Sequence, residues 1–241
     1  MRNIFVSLLL FSIQIISYGQ EKKAPLEIVH IRDSVYVFIT SQVYKGTPFP
    51  SNSMYVVTRA GVVMIDSPWD STQFQPILDS IMVRHQQPVV MCISTHYHED
   101  RTRGLDFYRA KGIRTYSSVL TKELCRQSNF PQAEFTFTKD TSFLIGGQRI
   151  ETFYPGEGHT RDNLVIWVAN EKILFGGCLV KSMEADNLGN VANGNLDQYG
   201  NSIRRVQKKY PSARIVIPGH QGWKNTEGLA HTLELLKTRK G

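Results

Sequence analysis

The stretch Thr95-His96-Tyr97-His98-Glu99-Asp100 carries an H-x-H-x-D pattern directly behind the apolar run Pro88 to Ser94. That run is short, rich in β-branched residues and predicts a buried strand. His96 and His98 are two residues apart, so in an extended segment both imidazoles face the same side. Imidazole and carboxylate side chains are common zinc ligands. The stretch therefore predicts a metal site at the end of a strand.

Three further candidate ligands lie in glycine-containing turns. His159 lies in Gly156-Glu157-Gly158-His159-Thr160, Cys178 follows Gly176-Gly177, and His220 follows Pro218-Gly219. Glycine allows the backbone to come close to a metal ion. His30, His85 and His231 have no such context, and we interpret them as structural.

The candidate ligands number six, which is too many for one tetrahedral zinc ion. They are His96, His98, His159, Asp100, Cys178 and His220. A structural zinc takes four protein ligands, whereas a catalytic zinc typically takes three and keeps a position for water. Two sets of three ligands thus indicate two open metal ions and metal-assisted hydrolysis.

The apolar patterns predict an α/β fold with strands and helices in each half of the chain. Predicted strands of the first half are Leu26 to Ile31, Val35 to Thr40, Met54 to Thr58, Val62 to Asp66 and Pro88 to Ser94, and the predicted helix is Thr72 to His85. Those of the second half are Glu134 to Thr138, Gln148 to Tyr154, Asn163 to Val168, Lys172 to Phe175 and Arg214 to Ile217, with helices around Ile203 and Leu233. This order indicates two packed sheets with helices outside. Ser41 to Ser53 contains Gly46, Pro48 and Pro50 and is predicted as a loop.

The first 19 residues have the pattern of a signal peptide. Met1-Arg2-Asn3 is a short basic start, Ile4 to Ile16 is apolar, and Ser17-Tyr18-Gly19 supplies small residues for cleavage. The apolar run is too short to span a bilayer stably. We expect residues 20–241 to form one domain that is exported to the periplasm and has no membrane attachment after cleavage.

Composition limits the partners of this domain. The chain has 241 residues, is 41% hydrophobic and carries a formal net charge of +7. The basic residues form no run of five or six, so nucleic acid is not an expected partner. Cys92 and Cys125 lie in apolar or helical patterns and are interpreted as core residues, although a bridge between them stays open. A monomer is the default expectation.

Four motifs resemble those of the metallo-β-lactamases, specifically subclass B1. They are T-H-Y-H-E-D-R, G-E-G-H-T-R-D-N, G-G-C-L-V-K-S and I-P-G-H, and the resemblance extends roughly from Ile28 to Leu236. Glyoxalase II-like hydrolases of the same fold have a histidine where this chain has Arg101, and an aspartate bridges their metals where this chain has Cys178. The single-zinc lactamase subclass has asparagine in place of His96.

The resemblance implies a four-layer αβ/βα sandwich with two Zn²⁺ ions at one edge of the sheets. It assigns His96, His98 and His159 to the first zinc, and Asp100, Cys178 and His220 to the second. Hydroxide between the two ions would attack the lactam carbonyl directly, without a covalent enzyme intermediate. Asp100 would also orient this nucleophile.

The resemblance further implies residues that contact the substrate, a penicillin, cephalosporin or carbapenem. Lys181 would pair with the substrate carboxylate, Asn190 would stabilise the oxyanion, and Trp69 would wall the pocket. Ser41 to Ser53 would be the flap over the substrate. Two of these residues have an alternative interpretation, Lys181 as a surface lysine and Asn190 as part of the turn at Gly189. Two other functions also stay open: hydrolysis of a thioester, lactone or phosphodiester, and zinc binding without catalysis.

Overall fold

The computed structural model describes residues 26–44, 46–138, 140–223 and 226–238, whose strands form two mixed sheets. The first sheet has seven strands in chain order: β1 (Glu27–Arg32), β2 (Val35–Tyr44), β3 (Thr47–Thr58), β4 (Gly61–Ile65), β5 (Val89–Ile93), β6 (Arg114–Ser118) and β7 (Phe135–Phe137). The second has five, in the order β12-β11-β10-β9-β8: β8 (Ser142–Ile145), β9 (Gln148–Phe153), β10 (Val165–Val168), β11 (Ile173–Gly177) and β12 (Ile215–Pro218).

The helices are numbered α1 to α6 in chain order. They are α1 (Phe74–His85), α2 (Glu99–Thr102), α3 (Leu105–Ala110), α4 (Val119–Gln127), α5 (Leu196–Lys209) and α6 (Gly228–Lys237). Ile77 and Ile81 of α1 pack on the first sheet, and Ile203 and Val206 of α5 pack on the second. Among the described residues, no helix has both the length and the apolar content needed to cross a membrane.

Side chains alternate along the strands between two different cores. In β2, Val35 and Val37 face the second sheet, whereas Phe38 packs with Tyr55 and the outer helices. A strand has a side-chain period of two, so a sheet that is covered on both faces buries nearly every residue. Each such aliphatic side chain contributes about 1.5–3 kcal/mol when fully buried. This packing confirms the four-layer αβ/βα sandwich that the sequence indicated.

Parallel pairing brings the loops that carry the candidate ligands to one edge. β4 pairs in parallel with β5, and β11 pairs in parallel with β12. The carboxyl ends of parallel strands lie at the same edge of a sheet. Hydrogen bonds connect the residues at this edge. Thr95 N, after β5, donates to Asp66 Oδ1, after β4, at 2.7 Å. Leu164 N, before β10 of the second sheet, donates to Thr95 O at 2.8 Å.

The prediction of a loop at Ser41 to Ser53 is wrong. β2 and β3 continue as one long hairpin, paired from Val35 and Val56 out to Tyr44 and Thr47. Pro48 and Pro50 are tolerated because β4 pairs with β3 only from Met54 onward, so the outer part of β3 has one neighbour. We call residues 41–44 and 46–53 the flap hairpin.

The structure also answers the question about the cysteines. Cys92, Cys125 and Cys178 are all buried free thiols, and no bridge joins Cys92 to Cys125. Cys92 belongs to the core between the first sheet and its helices. The interpretation of Cys92 and Cys125 as core residues is therefore confirmed.

Candidate metal centre

Three histidines converge at the edge of the sandwich, and we call His96, His98 and His159 the first trio. Their ring centroids are 4.9–5.2 Å apart, and the rings are steeply inclined to one another. One nitrogen of each ring lies within 4.8 Å of the others, as a shared metal ion requires. His96 and His98 follow β5, and His159 lies in the loop between β9 and β10.

The environment keeps these imidazoles neutral. Burial lowers the pKa of His96 and His159 well below the ordinary value, and it also lowers that of His98. A neutral imidazole has a free nitrogen lone pair for a metal. His96 Nε2 is buried and has no hydrogen-bond partner among the described residues. An unsatisfied buried polar atom costs about 1–3 kcal/mol, so a cation fits this position chemically.

Asp100, Cys178 and His220 form a second trio next to the first. His220 Nε2 lies 3.3 Å from Asp100 Oδ2 and 3.2 Å from Cys178 Sγ, and the last two atoms are 3.5 Å apart. Asp100 also lies close to the first trio, with its Oδ1 3.9 Å from His96 Nε2. Cys178 follows β11, and His220 follows β12. A carboxylate, a thiolate and an imidazole form a donor set that suits zinc.

Arg101 is a residue whose importance the sequence interpretation missed. It is fully buried; its Nη2 donates to Cys178 Sγ and Gly219 O and forms an ion pair with Asp100 Oδ2, each at 2.9 Å. Burial alone would raise the pKa of the Asp100 carboxyl, but Arg101, His220 and His96 together outweigh burial and hold that pKa well below its usual range. Arg101 therefore balances the negative charge of Asp100 in the second trio.

His220 is oriented from the flap hairpin. Its Nδ1 lies 2.7 Å from the backbone oxygen of Pro50, which leaves Nε2 directed at Cys178 and Asp100. Burial disfavours the charged ring, but the neighbouring Cys178 and Asp100 raise the pKa of His220 to about 9. Without a metal, His220 is therefore protonated at neutral pH.

Asp66 lies directly behind the candidate ligands. It is fully buried, and its Oδ1 and Oδ2 accept hydrogen bonds from Thr95 N and Thr95 Oγ1 at 2.7 and 2.8 Å. Its Oδ2 is also 3.5 Å from Arg101 Nη1. Asp66 thus supports both the residue before His96 and the cation beneath the second trio.

The two trios lie at the base of a cavity of about 790 Å³. Tyr44, Phe49 and Trp69 line one side, and Lys181 and Asn190 line the other. Lys181 is buried, and its Nζ donates to Cys178 O at 2.9 Å, so it is not a surface lysine. Burial lowers its pKa to about 8.

Asn190 is exposed, and its Oδ1 accepts a hydrogen bond from Ala192 N at 3.2 Å. The amide group of its side chain thus lies beside the cavity while the oxygen serves a local turn. Trp69 is half-buried, with its ring centroid 6.3 Å from that of His220. His30, His85 and His231 contact Asp33 O, Tyr55 Oη and Ala185 O and join neither trio.

Comparisons with known proteins agree with this geometry. The sequence profile of the family described as "Metallo-beta-lactamase superfamily" matches residues 46–220. The chain is 37% identical to "Metallo-beta-lactamase type 2" of Elizabethkingia meningoseptica, over 91% of this chain and 88% of that protein. It is 38% identical to "Metallo-beta-lactamase IND-1" of Chryseobacterium indologenes, over 87% of each chain.

Solved structures give the same result. A metallo-beta-lactamase from Pontibacter korlensis has a TM-score of 0.87 and 39% identity, covering 89% of this chain and all (100%) of that chain. Metallo-beta-lactamase IND-7 has a TM-score of 0.87 and 38% identity, covering 91% of this chain and all (100%) of that chain. The chain therefore belongs to the metallo-beta-lactamase superfamily, and its resemblance to subclass B1 is confirmed.

Proposed function

We propose that this protein hydrolyses the amide bond of β-lactam antibiotics with the aid of zinc and so confers resistance to them. The substrates are penicillins, cephalosporins and carbapenems. The observation that carries the proposal is the pair of adjacent trios of candidate ligands at the base of a cavity of about 790 Å³. Three protein ligands leave a metal ion an open position, which is typical of a catalytic rather than a structural site.

The proposed cofactor is a pair of Zn²⁺ ions. His96, His98 and His159 would hold the first ion, and Asp100, Cys178 and His220 would hold the second. Bound zinc supplies an activated water molecule at neutral pH and stabilises developing negative charge. The protein contributes the ligand geometry, the neutral state of the first trio, and the Arg101 cation that keeps Asp100 ionised.

Lys181 is proposed to bind the carboxylate of the substrate. Its ammonium group lies beside the cavity and donates to a backbone oxygen, Cys178 O, at 2.9 Å. A carboxylate is a stronger acceptor for this ammonium group than a neutral carbonyl, because the opposite charges attract each other. Substrate binding would therefore move this hydrogen bond from Cys178 O to the substrate.

Asn190 and Trp69 are proposed to complete the substrate site. The side-chain amide of Asn190 would donate to the lactam carbonyl oxygen as negative charge develops there, which is the usual task of an oxyanion-stabilising group. Trp69 forms a wall with Tyr44 of the flap hairpin, whose ring centroid lies 6.3 Å away. This apolar wall would exclude water beside the reacting bond.

The cellular setting is also a proposal. Residues 1–19, interpreted as a signal peptide, lie outside the described residues. We propose that the domain of residues 20–241 works in the periplasm as a monomer, without membrane attachment or nucleic-acid partner. The scattered basic residues behind the +7 charge support the last point.

One assay separates the proposed function from its alternatives. Purified protein is mixed with a chromogenic cephalosporin and with a carbapenem, stripped of metal with a chelator, and then reloaded with zinc. We expect lactam hydrolysis that is lost with the metal and regained with zinc. Hydrolysis of a thioester, lactone or phosphodiester alone would contradict the proposal, as would full zinc occupancy without any turnover.

A further inference from the structure

A buried asparagine, Asn52, lies at the base of the flap hairpin and contacts the loop that follows β12. Its side-chain Nδ2 donates to Pro218 O at 3.0 Å and to Gln221 O at 2.7 Å. Its backbone N donates to Gly219 O at 2.8 Å. Only 1% of its surface is exposed, so water does not compete for these bonds.

The loop held in this way carries His220 of the second trio. Asn52 contacts Pro218, Gly219 and Gln221, which are the residues on both sides of this ligand. Two positions earlier, Pro50 O accepts the hydrogen bond from His220 Nδ1. The same short segment of β3 therefore fixes both the backbone around His220 and the orientation of its ring.

Asn52 also reaches the other two ligands of the trio through Arg101. Its backbone oxygen accepts a hydrogen bond from Arg101 Nη1 at 2.5 Å. The other guanidinium nitrogen of Arg101 contacts Asp100 and Cys178, each at 2.9 Å. Asn52 thus bonds directly to the loop that carries His220 and to the arginine that contacts Asp100 and Cys178.

We propose that Asn52 is the positioning residue of the second metal site and fixes that site to the base of the flap hairpin. The inference rests on the proposed assignment of His220, Asp100 and Cys178 to the second metal. Outer partners of metal ligands set ligand geometry, and losing one typically weakens metal affinity 10–100-fold. Asn52 holds the loop by two side-chain bonds, one to Pro218 O and one to Gln221 O.

Asn163 offers a matched control in the first trio. It is also 1% exposed, and its side chain makes two hydrogen bonds to the loop that carries His159. Its Nδ2 donates to Gly156 O at 2.8 Å, and its Oδ1 accepts from Thr160 N at 3.0 Å. Replacing either asparagine by alanine removes two side-chain hydrogen bonds. The bonds lost in Asn52→Ala hold the loop of His220, and those lost in Asn163→Ala hold the loop of His159.

The test is a cobalt titration of the metal-free protein, with chelator competition to measure each affinity. Cobalt bound to a thiolate gives a charge-transfer band, which reports Cys178 and hence the second site; histidine-bound cobalt at the first site gives only ligand-field bands. For Asn52→Ala we expect second-site affinity about 10–100-fold lower and first-site affinity unchanged. For Asn163→Ala we expect the loss at the first site.

Two further measurements keep the inference testable if the alanine variant does not fold. Asn52→Ser retains one donor and should give a smaller loss than Asn52→Asp, whose carboxylate cannot donate to Pro218 O. In the unmutated protein, second-metal binding should slow hydrogen exchange of the Asn52 amide. Equal loss at both sites, or an unchanged second site, would overturn the proposal. Metal affinity and hydrogen exchange are both measured without lactam turnover. A protein that binds both metals but hydrolyses no lactam would therefore contradict the proposed function and leave the role of Asn52 intact.

Discussion

The two ligand trios lie side by side but balance their charges in opposite ways. The first consists of three histidines whose pKa values burial lowers, so they are neutral and need no counter-ion. The second contains Asp100, which forms an ion pair with the buried Arg101, and a His220 whose pKa is raised to about 9. Under the proposed assignment, the first trio can bind a metal at neutral pH without losing a proton, whereas His220 of the second trio must first release one. The lesson is that ligand identity alone does not describe a site, because the buried charges around it set its affinity.

The largest expected effect is the loss of stability when the buried Arg101 cation beside the second trio is removed. For Arg101→Met we expect the metal-free protein to lose about 3–5 kcal/mol in its free energy of unfolding, because Asp100 is left buried without its partner. Added zinc should recover part of this loss. Urea unfolding with and without zinc measures both effects. Arg126→Met is the control: its ion pair with Glu123 is exposed to water, so its loss should change the free energy of unfolding far less. Equal small losses for both variants would contradict the charge argument.

Replacing the cysteine of the second trio should weaken metal binding at that trio and leave the first trio able to bind its metal. For Cys178→Ser we expect second-metal affinity and lactam hydrolysis to fall by at least about 100-fold, the upper range for outer-shell changes. The first site should still bind one metal. Metal analysis after dialysis and steady-state kinetics measure these effects. Cys92→Ala, which changes a buried thiol in the core, should keep both metals. Two metals retained by the serine variant would show that Cys178 is not a ligand.

The pH dependence of metal binding should differ between the sites. Below pH 9, second-metal binding displaces a proton from His220, so affinity at this site should rise up to about tenfold per pH unit. The first trio is already deprotonated near neutral pH and should show little dependence from about pH 7 upward. Cobalt titrations at several pH values test this difference. Parallel slopes for both sites would rule out the assigned protonation states.

The smallest effect concerns substrate binding beside the second trio. For Lys181→Ala we expect KM to rise a few-fold, corresponding to about 1 kcal/mol, with both metal affinities unchanged. The expected change lies in KM because the carboxylate contact is made in the ground state as well as the transition state. Kinetics with several lactams measure it. An unchanged KM across several substrates would count against the role assigned to Lys181.

The six candidate ligands could be found from the sequence because each is tied to a local signal. His96 and His98 follow an apolar strand, and His159, Cys178 and His220 lie in glycine-containing turns. Such signals survive in a linear chain because strand ends and turns are local features. The arrangement of two packed sheets with helices outside was predictable for the same reason, and the structure agrees with it.

What the sequence did not reveal depends on contacts between distant residues. Arg101 contacts Cys178 and Gly219, which are 77 and 118 residues further along the chain. Nothing near Arg101 in the sequence indicates that its guanidinium is buried. The flap hairpin was predicted as a loop because Gly46, Pro48 and Pro50 usually interrupt strands. Only the pairing of β2 with β3 makes these residues compatible with a strand.

The central claim is that each trio holds its own metal ion. Anomalous scattering at the zinc edge, measured on crystals of the zinc-loaded protein, tests it directly. We expect two peaks about 3.5–4 Å apart, one bound by the first trio and the other by Asp100, Cys178 and His220. A single peak at full zinc loading, or a second ion without Cys178 among its ligands, would contradict the account.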